Sequence, residues 1–351
     1  MMKSIRIENH RVGYGKPVFI IAEAGVNHNG RLDYALQLID VAADAGANAI
    51  KFQTFRAEQV VTVMGEMADY QKKNLGASES QLSMLKKLEL PESFYPKLIR
   101  HARKRNIVFL STPHGGFASV DFLVQHNIPA FKFGSGDLTN TPLLAYAGRF
   151  KKPMIVSTGM GTMQEIHDAI RTIHDVGNNN IIVAHCTTDY PPESREINLR
   201  AMETMMKGLS VPVGYSYNGR DSQIPLMAAT LGACFLETHV TLDRTLVGPD
   251  HHASFEPFEF KTLVSSIRAV SAILGSPLKK PTHAEKKYIP LIRRSLVAAC
   301  DIKKGESFSR NNITIKRPGT GMKPNLYNNI LGKAAVRDIS KDSLISPHFI
   351  V

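Results

Sequence analysis

The sequence predicts an α/β protein: a closed (β/α)8 TIM barrel followed by a small β-rich domain. Three observations predict it. Short apolar runs alternate with stretches of helical spacing about eight times between the N-terminus and residue 275. Those runs are apolar nearly throughout, as strands buried on both faces are. After residue 292 the texture changes to short strand-like runs separated by turns. A chain of 351 residues with 43% hydrophobic content can fill one large core and one small one. An open doubly wound sheet is the alternative, but no G-x-G-x-x-G follows the first strand.

The elements follow in order. Val18–Ala22 reads as a buried strand, and Leu32–Ala45 as a helix closed by Gly46. Asn48–Gln53 is a second strand. The long polar excursion from Thr54 to about Leu90 reads as a lid or a disordered loop. Helix Phe94–Arg105, strand Ile107–Thr112 and helix Phe117–Gln125 come next. Strand Ala130–Phe133 runs into a Gly134-Ser135-Gly136 turn, and a helix capped by Asn140 with Pro142 in its first turn follows. Strands at Met154, Asn180–Cys186, Val211–Ser216 and Cys234–Val240 alternate with helices Met163–Val176, Leu199–Met206, Ile224–Leu231 and Phe258–Leu274. Residues 1–275 are thus expected to form the barrel. Residues 276–292, with Pro277, Pro281 and Pro290, read as a linker. Residues 293–351, with strand-like runs at Ser295–Ala299, Ile313–Lys316 and Ala334–Val336, read as the small domain.

The formal charge of +12 suits anionic ligands. Lys and Arg are scattered, Trp is absent and aromatics make up only 7%, so a nucleic-acid partner is not expected. No apolar run is long enough to span a bilayer, and no signal-peptide pattern opens the chain. Cys186, Cys234 and Cys300 are far apart and odd in number, which reads as reduced thiols in a cytoplasmic protein.

In such a barrel the C-terminal strand ends converge on one face, and function sits there. In this chain those ends offer Glu23, Lys51 with Gln53, Thr112 and Lys132 with Ser135. They continue with Ser157, Thr188 with Tyr190, Ser216 and His239. A lysine on a strand, a hydroxyl and small residues that bare backbone N–H groups are the parts of a phosphate site. Single hydroxyls are more often caps or turn formers, so it is the cluster that points to a small phosphorylated carboxylate. His239 could bind a metal through a neutral ring nitrogen or be a hydrogen-bonded core histidine. Adjacent residues such as His251 and His252 rarely converge on one ion.

Taken together, IAEAGVNHNG (from Ile21), IKFQTF (from Ile50), LSTPHG (from Leu110), FKFGSGD (from Phe131) and VSTGMGT (from Val156) resemble the sialic acid synthase family. So do AHCTTDYP (from Ala184), GPDHHAS (from Gly248) and KRPGTG (from Lys316). The resemblance covers nearly the whole chain and implies a (β/α)8 barrel joined to an antifreeze-like (SAF) domain. The wording is most similar to the legionaminic acid branch, which uses a 2,4-diacetamido-6-deoxymannose sugar. The family joins phosphoenolpyruvate to the aldehyde of an open-chain N-acylmannosamine, with C–O cleavage and phosphate release.

By this resemblance Lys51, Thr112, Lys132, Ser135, Ser157 and Ser216 hold phosphoenolpyruvate, and Thr188 stands where some members have Asn. Glu23 faces the reacting carbons in a proton-handling or orienting role, and with Lys51 and Lys132 makes up the expected catalytic group. Gln53, Tyr190 and Asp250 contact the sugar. Arg317 reaches the sugar site of a partner subunit, which implies a domain-swapped homodimer. A divalent metal (Mn, Mg or Co) is implied, held by His239 and by the histidine of a Ser-Asp-His-Thr motif. This chain reads Ser216-Tyr217-Asn218-Gly219 there, so Asn218 replaces the ligand and puts the metal in question. Two further readings follow: a catalytically impaired paralogue that binds phosphoenolpyruvate or sugar, and a condensing enzyme acting on a sugar phosphate. The added small domain argues against the last.

Overall fold

The computed structural model describes residues 4–75 and 79–351. It divides into two compact units, Met1–Gly275 and Ser276–Val351. The first opens with a hairpin absent from the sequence reading, β1 (Ile5–Ile7) paired antiparallel with β2 (His10–Val12). At three residues each, these strands are too short to show a period. Ile5, Ile7 and Val12 are buried among inward residues of the barrel such as Phe19, Val108 and Phe235, so the hairpin packs on its interior.

Eight parallel strands close the barrel in chain order. They are β3 (Phe19–Gly25), β4 (Ala49–Thr54), β5 (Val108–Pro113), β6 (Phe131–Phe133), β7 (Met154–Ser157), β8 (Ile181–Cys186), β9 (Val213–Tyr217) and β10 (Phe235–His239). β10 pairs with β3 to complete the ring. The helices are α1 (Leu32–Asp44), α2 (Ala57–Val60), α3 (Asp69–Leu75), α4 (Gln81–Leu88), α5 (Tyr95–Lys104) and α6 (Phe117–Gln125). They continue with α7 (Thr141–Gly148), α8 (Met163–Asp175), α9 (Leu199–Gly208), α10 (Gln223–Thr230) and α11 (Pro257–Leu274). The amphipathic helices bury their apolar faces against the outward side chains of the strands in one continuous core.

Strand alternation prepares the site. One layer of inward positions is apolar or small: Ile21, Ala49, Leu110, Ala130, Ile155 and Ala184. The next inward positions are Glu23, Lys51, Thr112, Lys132, Ser157 and Cys186. The barrel interior therefore changes from hydrocarbon to polar groups within one step along every strand. Gly214 keeps the packed layer closed, since a Cβ there would lie 2.1 Å from the Phe235 ring.

The excursion after Phe55 is an ordered helical segment where it is described. Helices α2, α3 and α4 enclose a separate small core that includes Phe55, Ala57, Met67, Met84 and Leu85. In the second unit, β11 (Ser295–Ala298) pairs antiparallel with β12 (Ile313–Lys316). Leu296, Ile302, Phe308, Ile313 and Ile345 form its core. The strand expected at Ala334–Val336 is reduced to isolated bridges, Ser307 with Ala334 and Ala335 with Ile350, beside a turn at Gly332 with φ 82°. Residues 276–292 carry two short helices, α12 (His283–Lys286) and α13 (Ile289–Ile292). Among the described residues no helix is long and apolar enough to cross a membrane. Cys186 and Cys234 are buried free thiols, and Cys300 is an exposed one.

Candidate active site

The strand ends surround a cavity of about 230 Å³. Its floor is a buried charge network. Lys51 Nζ lies 2.8 Å from Glu23 Oε2 and 3.6 Å from Glu237 Oε1. Lys132 Nζ lies 3.4 Å from the same Glu237 oxygen. All four side chains are buried. Lys51 also donates to Thr112 Oγ1 at 3.1 Å, Lys132 to Ser157 Oγ at 2.6 Å, and Ser216 Oγ to Glu237 Oε1 at 3.4 Å. Buried charges persist only when paired and hydrogen-bonded, and these are both.

The two carboxylates are not equivalent. Burial pushes the Glu23 carboxyl up to about 7, against the pull of Lys51. Burial also opposes ionisation of Glu237, but Lys132 and Lys51 flank it and hold it below the usual carboxylate range. Glu237 is thus the resident counter-ion of both lysines, and Glu23 is the acid that exchanges protons near neutrality. Apart from its 2.8 Å ion pair with Lys51, Glu23 Oε2 has no polar partner.

Beside the lysines, the Gly134–Gly136 turn faces the ends of β7 and β8. Ser135 Oγ accepts from the backbone N–H of Gly159 at 3.0 Å. A Cβ on Gly159 would lie 2.2 Å from Thr188 Oγ1 and 2.7 Å from Ser135 Oγ, so glycine there lets these two hydroxyls close together at the cavity wall. Lys132, Ser135, Ser157, Thr188 and Ser216 all line this cavity, as do Lys51 and Thr112.

Across the mouth, Gln53 Nε2 donates to Glu23 Oε1 at 3.4 Å. Gly25 adopts φ 52°, and a Cβ there would approach Glu23, Gln53 and His239 together. Its register shift against β4 aims these groups at one space. The Tyr190 ring meets His239 edge-on at 5.5 Å, and Asp250 Oδ2 lies 3.9 Å from His239 Nδ1. Burial keeps the Tyr190 phenol well above its ordinary value and raises the Asp250 carboxyl. Burial lowers His239, so its imidazole is neutral at physiological pH.

Among the described residues no group of three or more His, Cys, Asp or Glu side chains converges to hold a metal. His239 Nδ1 is nevertheless buried without a hydrogen-bond partner. Asn218 faces the same cavity and donates its amide N–H to Thr187 O at 2.8 Å, which leaves its oxygen as the ligating end. One imidazole, one amide oxygen and the neighbouring Asp250 do not make a closed tetrahedral zinc site. They fit a hard ion such as Mg²⁺ or Mn²⁺ that keeps water and substrate oxygens among its ligands.

Tyr217 does not line the mouth. Strand alternation turns it outward between Ser216 and Asn218, where it stacks near Tyr215, and its hydroxyl accepts from Asp221 N at 3.2 Å. His251 is a structural residue, bonded to Thr241 Oγ1 at 2.7 Å and Asn29 Oδ1 at 3.2 Å. Arg317 lies in the second unit, exposed, with Nε donating to Ile292 O at 3.1 Å. Three groups of the site were absent from the sequence reading: Glu237, Gly159 and Tyr70. Glu237 carried a signal, because it stands two residues before His239 and so faces the same side of β10.

Fold and site together define a (β/α)8 barrel with a buried network of two lysines and two glutamates and a facing polar mouth. The chain belongs to the NeuB family, whose model matches residues 38–279, and the SAF domain model matches residues 293–351. It is 45% identical to the N,N'-diacetyllegionaminic acid synthase of Campylobacter jejuni over 94% of this chain and 99% of that one. It is 41% identical to the enzyme of the same name from Legionella pneumophila, over 93% of each chain. Among solved structures it resembles the N-acetylneuraminic acid (sialic acid) synthetase from Leptospira borgpetersenii. That match has a TM-score of 0.72 and 33% identity, over 82% of this chain and 96% of that one.

Proposed function

We propose that this chain is a nonulosonic acid synthase of the legionaminic type. It condenses phosphoenolpyruvate with the open-chain aldehyde of an N-acylmannosamine-type sugar. The observation that carries this reading is the Lys51–Glu237–Lys132 network beside the Ser135–Gly159–Thr188 wall. It supplies two ammoniums and several hydroxyls for a small dianionic headgroup. The names of the 45% and 41% identical relatives support the product class.

In the reaction, C3 of phosphoenolpyruvate forms a bond to the aldehyde carbon, whose oxygen takes up a proton. Water adds at C2, the C2–O bond to phosphate breaks, and inorganic phosphate leaves. Glu23 accepts the proton of the attacking water. Lys51, held between Glu23 and Glu237, meets the anion while Glu23 stays ionised as the base. Lys132 and Ser157 hold the phosphate end. Gln53, Tyr190 and Asp250 orient the sugar, and neutral His239 faces its aldehyde. A divalent ion held by His239 and the Asn218 oxygen would polarise the aldehyde as a Lewis acid.

Phosphate release with both substrates tests the reading, run with Mn²⁺, with Mg²⁺ and with chelator, and with the product identified by mass spectrometry. The expected result is an α-keto acid extended by the pyruvate unit, formed only with both substrates and lost in Lys132→Ala. Binding of phosphoenolpyruvate without product under any metal would instead establish the impaired paralogue that Asn218 motivates.

A further inference from the structure

His114 stands directly after β5, and none of the roles assigned above falls to it. Its backbone N–H donates to Thr54 O and Thr112 O, both at 2.9 Å, so the residue is pinned between the ends of β4 and β5. Gly115 follows under close packing. A Cβ there would lie 2.6 Å from both Gln59 Oε1 and Ser119 Oγ, and 3.3 Å from Phe55 Cα. The Phe55 ring meets the His114 ring edge-on, with centroids 6.1 Å apart. A tethered backbone on one side and an aromatic edge on the other hold the imidazole in place.

The ring lines the cavity with Lys51, Thr112, Lys132 and the Gly134–Gly136 turn. Beyond its contact with Phe55 it has no hydrogen bond among the described residues. The charged groups that act on it are Asp137, in the turn after β6, and Lys51 of β4. Burial lowers His114 below its ordinary value; Asp137 pulls the other way and Lys51 adds to the lowering. The imidazole is therefore neutral at physiological pH, with one N–H donor and one acceptor nitrogen. A donor at a polar cavity without a protein partner is open to a ligand atom.

The nearby ammoniums are already engaged. Lys51 contacts Glu23 and Glu237, and Lys132 contacts Glu237. An entering anion shares both lysines with resident carboxylates, so a preorganised donor that holds no carboxylate gains in weight. We infer that His114 is a further phosphoenolpyruvate-binding residue, its ring N–H donating to the anion between Thr112 and the Gly134–Gly136 turn. The inference rests on the synthase reading and adds a residue to its site.

The test measures binding of phosphoenolpyruvate alone by calorimetry, and kcat and KM by phosphate release, in the wild type and in substitutions of His114. His114→Phe keeps a ring against Phe55 and removes the N–H. His114→Ala removes both without adding bulk. His114→Asn and His114→Gln return an amide N–H near the positions of Nδ1 and Nε2. The Phe and Ala variants are expected to bind phosphoenolpyruvate about 10- to 100-fold more weakly, the scale of one hydrogen bond to a charged group, with the sugar KM nearly unchanged. One of the two amide variants is expected to recover most of that loss, which identifies the donating nitrogen. The ratio of wild-type to His114→Phe affinity is expected to stay level from about pH 7 to about pH 8.5, as an uncharged donor requires. Wild-type affinity in the Phe and Ala variants, no recovery in either amide variant, or a ratio that collapses as pH rises would overturn the inference. If the variants do not fold, the ring ¹⁵N resonances of His114 in the wild type decide. A shift on adding phosphoenolpyruvate with the ring still neutral supports the inference, and no shift overturns it. A wild type that neither binds phosphoenolpyruvate nor condenses a sugar ends the synthase reading and the inference with it. Turnover by the wild type with variants that match it removes the inference alone.

Discussion

Glu23 and Glu237 are both buried, both acidic and both within reach of Lys51, yet they do different jobs because of one further neighbour. Lys132 lies 3.4 Å from Glu237 and fixes it as an anion, while Glu23 has only Lys51 at short range. Burial then leaves Glu23 titrating at about 7. As the base that takes a proton from water, Glu23 must be ionised. The rate kcat/KM is expected to rise with pH through about 7 and then level off. Glu23→Gln is expected to lower kcat by about 10²- to 10⁴-fold and to flatten that rise. Linkage gives a second readout. The folded state holds this proton more tightly than the unfolded chain, so the contribution to stability is complete below the ordinary carboxylate range and is lost as pH rises through about 7. Denaturant unfolding of wild type and Glu23→Gln across that window measures the difference. An unchanged pH–rate profile in the variant would remove Glu23 from proton transfer. Residue types at strand ends made Glu23 and Lys132 legible in the sequence. The division of labour was not, because it depends on which ammonium lies nearer to which carboxylate across the barrel.

The polar layer of this barrel is a product of strand register, and at this scale the sequence was most informative. Apolar runs of strand length ended in a charged or hydroxyl residue again and again, and a parallel barrel brings such ends together. The segment after Phe55 was harder to read, because α2 has four residues and α3 seven, too short for a helical period to stand out among polar residues. Gly159 was hidden for a different reason: glycine in a turn is ordinary, and its purpose appears only when Thr188 and Ser135 arrive from neighbouring loops. The turn after β7 leads into α8, whose capping box pairs Thr162 with Glu165 and fixes the loop from its far side. The backbone of Gly159 is not left-handed, so alanine is allowed there by conformation. Its methyl group, however, would clash with both hydroxyls and displace them. Gly159→Ala is expected to push Thr188 and Ser135 aside, lowering the thermal midpoint, and to raise the KM for phosphoenolpyruvate by at least about 10-fold, equivalent to about 1.4 kcal/mol. Steady-state kinetics and a melting curve check it. Unaltered affinity for phosphoenolpyruvate would show that the anion sits elsewhere.

At the scale of the whole molecule the open question is what the second unit contributes. Each unit has its own core, and Arg317 projects from an exposed loop of the second beside the Lys316 end of β12. An arginine serves a buried site only if another surface meets it, and in a symmetric dimer that surface belongs to the other subunit. If the partner subunit's Arg317 completes the sugar site, two inactive variants can repair each other. Glu23→Gln removes the base but keeps its arginine, while Arg317→Ala keeps the base but removes the arginine. After subunit exchange half of the dimers are mixed, and one of the two sites in each mixed dimer has both groups. Activity should therefore return to about a quarter of the wild-type value, from two proteins that are each nearly inactive. The measurement is phosphate release before and after co-incubation under mild denaturant, with native mass spectrometry to count mixed dimers. An Arg317 acting within its own chain gives a different result: every site then carries one lesion, and mixing recovers nothing. An Arg317→Ala variant with wild-type sugar KM would release the second unit from any part in sugar binding and leave the barrel mouth to supply all of it.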